Sequence, residues 1–122
     1  MCIFAQAHGG VWVPCAGSVT PWETHIGSEE YEPDARKFYK SKDSVSGIHN
    51  IHNFMRYWDQ YVPKDELTKE KAMEIGFYPY RYGYPWETKV NSDFSETTTK
   101  LYSHGRQAYE VIAHFGAMST VA

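Results

Sequence analysis

Residues 15–30, CAGSVTPWETHIGSEE, constrain this chain more than any other stretch. They place one thiol, Cys15, then Thr20-Pro21-Trp22, then two adjacent carboxylates, Glu29 and Glu30. The Thr-Pro-Trp run predicts a reversal of the chain. A strand from Thr24 then ends at the acids. In that hairpin a thiolate and a carboxylate can face one site. A thiolate is a soft ligand and a carboxylate a hard one. The mixture suits iron or zinc better than magnesium alone, and a surplus of carboxylates suits calcium.

The stretch resembles the metal-binding signature of the PhoX-type alkaline phosphatases, a secreted family of large β-propeller phosphomonoesterases. That signature reads Cys-Ala-Gly, a small residue, any residue, Thr-Pro-Trp, then Thr and a pair of acids. Cys15, Ala16, Gly17, Ser18, Thr20, Pro21, Trp22, Thr24, Glu29 and Glu30 all fall in place, and Glu23 stands where the family usually has Gly. A second stretch, residues 105–110 (GRQAYE), resembles the family's Gly-Arg-Phe, any residue, His-Glu sequence. Gly105, Arg106 and Glu110 match, Gln107 replaces the aromatic, and Tyr109 replaces the His. The resemblance covers almost the whole chain and less than half of a typical family member.

The resemblance implies a site of iron ions, held partly by Cys15, with calcium ions around them. Glu30, Glu29 and Glu110 are the implied carboxylate ligands. The implied substrate is a phosphate monoester, and the implied location is periplasmic or extracellular. The family's later acidic ligands and phosphate-binding Arg have no counterpart here, so hydrolase activity is expected only when the chain is joined to the remainder. The implied fold is mainly β with inserted helices: a partial β-propeller, one to two blades' worth of strands, forming a single partial domain over 1–122 with a helical insertion over 48–76.

Composition narrows the alternatives. At 122 residues with 42% hydrophobic content, the chain is one small domain able to build a core. A formal net charge of −3 offers no basic footprint for nucleic acid. No apolar run approaches the roughly 18 residues of a membrane span. No charged segment followed by an apolar one marks a secretion signal at the start. The two cysteines, Cys2 and Cys15, can close one short disulfide loop or stay as buried thiols. Cys15 as a nucleophile would need a base such as His25 or His104 beside it. No Gly-rich phosphate loop, nucleophile elbow or His-Glu-x-x-His is present.

Along the chain, 2–7 and 11–16 are short apolar runs parted by Gly9-Gly10 and predict two strands, with Pro14 at a strand end or edge. Pro33 and Asp34 open a helical turn, and 41–47 is a polar loop. Ile51, Phe54, Met55, Trp58 and Tyr61 recur at helical spacing, which predicts an amphipathic helix over 49–61. His49 and His52 would share a face of it, more simply as cap or surface residues than as ligands. Residues 65–76 carry early acids, later lysines and a terminal Gly, the pattern of a second helix of about ten residues. The aromatic run 77–87 predicts packing. Residues 88–90, 97–103 and 108–115 read as strands, and the tail shows no closing element.

A reading of a different class also fits: a non-catalytic binding or assembly subunit, a propeller remnant whose open strand edges pair with a partner chain or a second copy.

Overall fold

A computed structural model describes residues 9–40, 51–57, 62–63, 66–115 and 118–121. Two compact units result, one formed by 1–32 with 81–122 and the other by 33–80.

The first unit is mainly β. Strands β1 (Pro14–Val19), β2 (His25–Glu29), β3 (Trp86–Val90) and β4 (Glu96–Lys100) form an antiparallel sheet in the order β1-β2-β3-β4. The sheet is not closed. Strands β5 (Ile112–Phe115) and β6 (Met118–Val121) form a separate antiparallel hairpin, with β5 lying beside β1. The tail therefore ends in a paired strand rather than open chain.

Two hairpins of the sheet share one turn. In the β1–β2 hairpin, Thr20 N donates to Thr24 O (2.8 Å) and Glu23 N to Thr20 O (3.0 Å). In the β3–β4 hairpin, Asn91 N donates to Ser95 O (2.8 Å) and Phe94 N to Asn91 O (3.0 Å). The fourth residue is left-handed in both, Glu23 at φ 62° and Phe94 at φ 63°. This tight turn followed by a left-handed residue suits the twist of the flanking strands, and Gly adopts it with least strain.

β2 is the central strand, buried from Ile26 to Glu29. Its two glycine-lined crossings explain the sequence. Gly27 pairs with Trp86, whose ring lies so close that a Cβ at 27 would stand 2.1 Å from it. The His25 ring tilts against Trp86 at 5.2 Å, and a Cβ at Gly17 would meet that ring at 2.7 Å. Side chains at 17 or 27 would push aromatic rings off the sheet.

Between β2 and β3 in sequence lies the helical unit, with α1 (Ala35–Lys40), α2 (Ile51–Tyr57) and α3 (Lys69–Glu74). Asp34 caps α1 by accepting from Lys37 N at 2.8 Å. Ile51, Phe54 and Met55 of the expected stripe are buried. Trp58, Tyr61, His49 and the His52 side chain lie outside the described residues. Phe77 packs edge-on against both Phe38 (5.5 Å) and Phe54 (5.3 Å), joining the start and end of this unit.

Several expected boundaries move. The strand expected over 11–16 begins at Pro14, because Gly10 and Val13 take positive φ and pairing starts at Pro14 opposite Glu29. The expected 65–76 helix is only Lys69–Glu74: the Thr68 hydroxyl accepts from Lys71 N and so sets its start. The strand expected over 97–103 stops at Lys100, where Tyr102–His104 turns into a 3-10 helix. The one expected over 108–115 begins at Ile112, because Tyr109 is held by other segments of the same chain. Its N–H donates to Glu29 O, and its hydroxyl donates to the carbonyls of His104 and Gly105. The run 2–7, with Cys2, and the loop 41–47 lie outside the described residues.

Candidate functional site

The two acids at the end of β2 separate. Glu29 closes β2 and is buried, while Glu30, the first residue past the strand, is half-buried. Glu29 is 0% exposed. Its Oε1 accepts from Trp12 N (2.6 Å) and Lys100 Nζ (2.8 Å), and its Oε2 from Gly83 N (2.8 Å) and Tyr84 N (3.0 Å). Four N–H donors thus occupy the carboxylate that the resemblance implies as a metal ligand. Lys100 also donates to Arg81 O at 2.7 Å and lies over the Tyr82 ring at 4.6 Å. Burial lowers the Lys100 ammonium from its ordinary value, and the Glu29 charge opposes that shift.

The surface cluster forms around Cys15, an exposed free thiol. Pairing of β1 with β2 slips by one residue between Pro14 and Gly17, and the bulge holds Cys15 and Ala16. Ser28 fastens this bulge: Ala16 N donates to Ser28 Oγ at 2.9 Å. A bulge re-aims the side chains it carries. Cys15 Sγ lies 3.9 Å from the carbonyl oxygen of Glu110, 95 positions away. The Glu30 carboxylate hydrogen-bonds the thiol and, with burial and the charges of Glu30 and Glu110, pushes it above its ordinary value. Glu30 acts the same way on the Tyr31 phenol, holding it above its ordinary value first by a hydrogen bond and then by its charge. Cys15, Glu30, Tyr31 and Glu110 therefore share one exposed patch.

The backbone on both sides of the patch is strained. Val13 has φ 39° and Tyr31 φ 52°, left-handed values that are outliers for a β-branched and a bulky residue. Hydrogen bonds hold both: Glu30 N donates to Val13 O at 3.0 Å, and Trp12 Nε1 to Tyr31 O at 2.9 Å. Strain of this kind persists only where the surroundings over-determine it.

Carboxylate neighbours that raise a thiol's pKa work against nucleophilic catalysis, which needs the thiolate free at neutral pH. The His25 ring lies against Trp86, and the contact made by His104 is through its backbone carbonyl, which accepts from the Tyr109 hydroxyl. A cation reverses the argument, because it replaces the proton and turns the crowded anions into ligands. One sulfur and two carboxylates are donors of the kinds that iron and calcium take. Among the described residues no three His, Cys, Asp or Glu side chains are already drawn to metal-holding spacing.

Much of the 15–30 signature builds the hairpin instead. The Thr20 and Thr24 hydroxyls share a hydrogen bond of 2.7 Å, and Trp22 Nε1 donates to Glu87 Oε1 at 2.6 Å. Thr24 donates to the same Glu87 oxygen. Sequence reading missed both Glu87 and Lys100. Glu87 carried one usable signal, its place in a β-prone run.

A scan against models of protein families, a search of curated proteins and a search of solved structures each found no match. No helix among the described residues is long and apolar enough to cross a membrane.

Proposed function

We propose that this chain carries one corner of the metal centre of a PhoX-like phosphomonoesterase, with Cys15, Glu30 and Glu110 as its ligands. The observation behind this reading is the meeting of Cys15 with Glu110, 95 positions apart, beside Glu30. Glu29 is left out of the ligand set because its oxygens are already taken. The four-stranded antiparallel meander has the strand number and order of a propeller blade, and the helical unit follows β2 as an insertion.

Iron and calcium bound here would neutralise charge on a transferring phosphoryl group and activate an oxygen nucleophile. The chain's own residues bind and orient. Cys15 gives up its thiol proton to become a ligand, Glu30 and Glu110 supply oxygens, and Tyr31 steadies Glu30 through its phenol. Substrate contact and the remaining ligands belong to a further part of the protein or a partner chain, in a periplasmic or extracellular setting.

The test is elemental analysis of the purified protein, followed by cobalt(II) titration watched at the thiolate-to-metal absorption band. The expected result is bound metal with a sulfur band that Cys15→Ala abolishes. Metal retained in full by Cys15→Ala overturns the ligand role.

A second reading, an assembly subunit that pairs its sheet with another chain, draws on the open sheet and on Phe94 and Val90, which are 92% and 65% exposed. Light scattering after size exclusion separates the two: a clean monomer of 14.1 kDa counts against it.

A further inference from the structure

The three segments that bear Cys15, Glu30 and Glu110 meet at a single residue. Glu29 O accepts from Tyr109 N at 3.0 Å, which fixes the segment entering Glu110. Glu29 Oε1 accepts from Trp12 N at 2.6 Å, and the next amide, Glu30 N, donates to Val13 O at 3.0 Å. Those two bonds fix the entry to Cys15. Trp12 then returns its indole N–H to Tyr31 O at 2.9 Å, closing the ring of contacts around Glu30. With N–H donors on both oxygens Glu29 holds this place as a buried anion, and among the described residues the cation paired with it is the Lys100 ammonium, 71 positions away and 1% exposed. A buried carboxylate without a counter-charge is driven out or neutralised.

We infer that Glu29 and Lys100 are positioning residues for the surface cluster: their buried pair holds Cys15, Glu30 and Glu110 in register without touching what binds there. The inference rests on the reading of that cluster as a ligand set, and adds that its geometry is set from the interior. Lys100 stands at the end of β4 and Glu29 at the end of β2, so the pair links two strands that are not neighbours in the sheet. Correct formation of the cluster is thereby tied to completion of the whole sheet.

The test measures proximity rather than activity. In a background with Cys2→Ser, Glu110→Cys places a second thiol in reach of Cys15. The rate at which the two close to a disulfide under oxidised glutathione reports how well the segments are held. Lys100→Met and Glu29→Gln are each expected to slow closure at least tenfold at temperatures where circular dichroism shows the sheet intact. Lys100→Arg, which keeps the charge, should stay within about threefold of the parent. A residue that merely adds stability would lower the melting temperature and leave closure in the folded state unchanged, and that result overturns the inference. Should either single variant fail to fold, the Glu29→Gln/Lys100→Met double variant, with no unpaired charge, carries the same expectation and the same overturning result. Cobalt(II) titration of the unmodified protein is run alongside. Slowed closure with no cobalt bound upholds the positioning role and sinks the metal reading, and the reverse pattern does the opposite.

Discussion

Lys100 Nζ lies 2.8 Å from Glu29 Oε1, and the two side chains are 1% and 0% exposed. Taking two charges out of water is expensive, and only a full set of partners makes it tolerable. Glu29 has four N–H donors, and Lys100 has a carboxylate, a carbonyl and an aromatic face. Removing one partner strands the other. Lys100→Met is therefore expected to cost about 3–5 kcal/mol in urea unfolding. A loss below about 1 kcal/mol would mean that water reaches Glu29.

The left-handed residue of each matching hairpin is the wrong type for its backbone. Glu23 and Phe94 hold φ 62° and 63°, which L side chains reach at a cost of roughly 1–2 kcal/mol. Glu23→Gly and Phe94→Gly should each raise stability by about 0.5–1 kcal/mol after the extra chain entropy of Gly is subtracted. Thermal unfolding of the two variants decides it, and a fall in melting temperature for both would count against the turn geometry.

Gly27 tests the central strand. A methyl group there would stand 2.1 Å from the Trp86 ring, which cannot yield without leaving the sheet. Gly27→Ala should cost about 3 kcal/mol, at the upper end of overpacking effects. Gly27→Ala combined with Trp86→Ala should lose less than the two single changes added together, because the clash disappears. Simple additivity in a double-mutant cycle would show that the ring is elsewhere.

High pH should unfold the protein from its tyrosines. Burial, then the Glu29 charge, raises the Tyr82 phenol above its ordinary value of 10.0, and burial raises Tyr109 and Tyr102 as well. Their neutral forms are favoured in the fold. The stability they contribute is fully present below pH 10 and is lost as pH rises beyond it, by up to about 1.4 kcal/mol per pH unit for the buried Tyr82 and Tyr109 and by less for Tyr102, which is 50% exposed and screened by solvent. Lys100 works in the opposite sense: burial lowers it from its ordinary value, so it adds stability with pH up to about 10.5 and offsets part of the tyrosines' loss there. Chemical unfolding at pH 9, 10.5 and 11.5 checks the sign. A midpoint that does not fall between the last two would contradict it. Tyr82→Phe should flatten the fall while giving up the bond from its hydroxyl to Gly9 O, 2.6 Å long.

The hairpin around Thr20-Pro21-Trp22, the strand ending at the acids, the apolar stripe at Ile51, Phe54 and Met55, and the helix-capping Asp34 were all legible in the sequence. Each depends on residues within about one or two turns of chain, where propensity and periodicity act. The boundaries of α3 and β5 were not, because a threonine cap and a buried tyrosine hydroxyl overrode the local pattern.

Local pattern also treats Glu29 and Glu30 alike, as neighbouring acids at a strand end. The strand ends between them, with Glu29 its last, buried residue and Glu30 the half-buried one beyond it. Which of them is buried depends on Trp12, Gly83, Tyr84 and Lys100, brought in from 17 to 71 positions away. The same holds for Cys15 and Glu110, whose meeting depends on where β5 begins and on the bulge in β1. The residue types that could serve chemistry are written in the chain, but the desolvation that takes one carboxylate for the interior and leaves its neighbour to the surface is a property of the packed sheet alone.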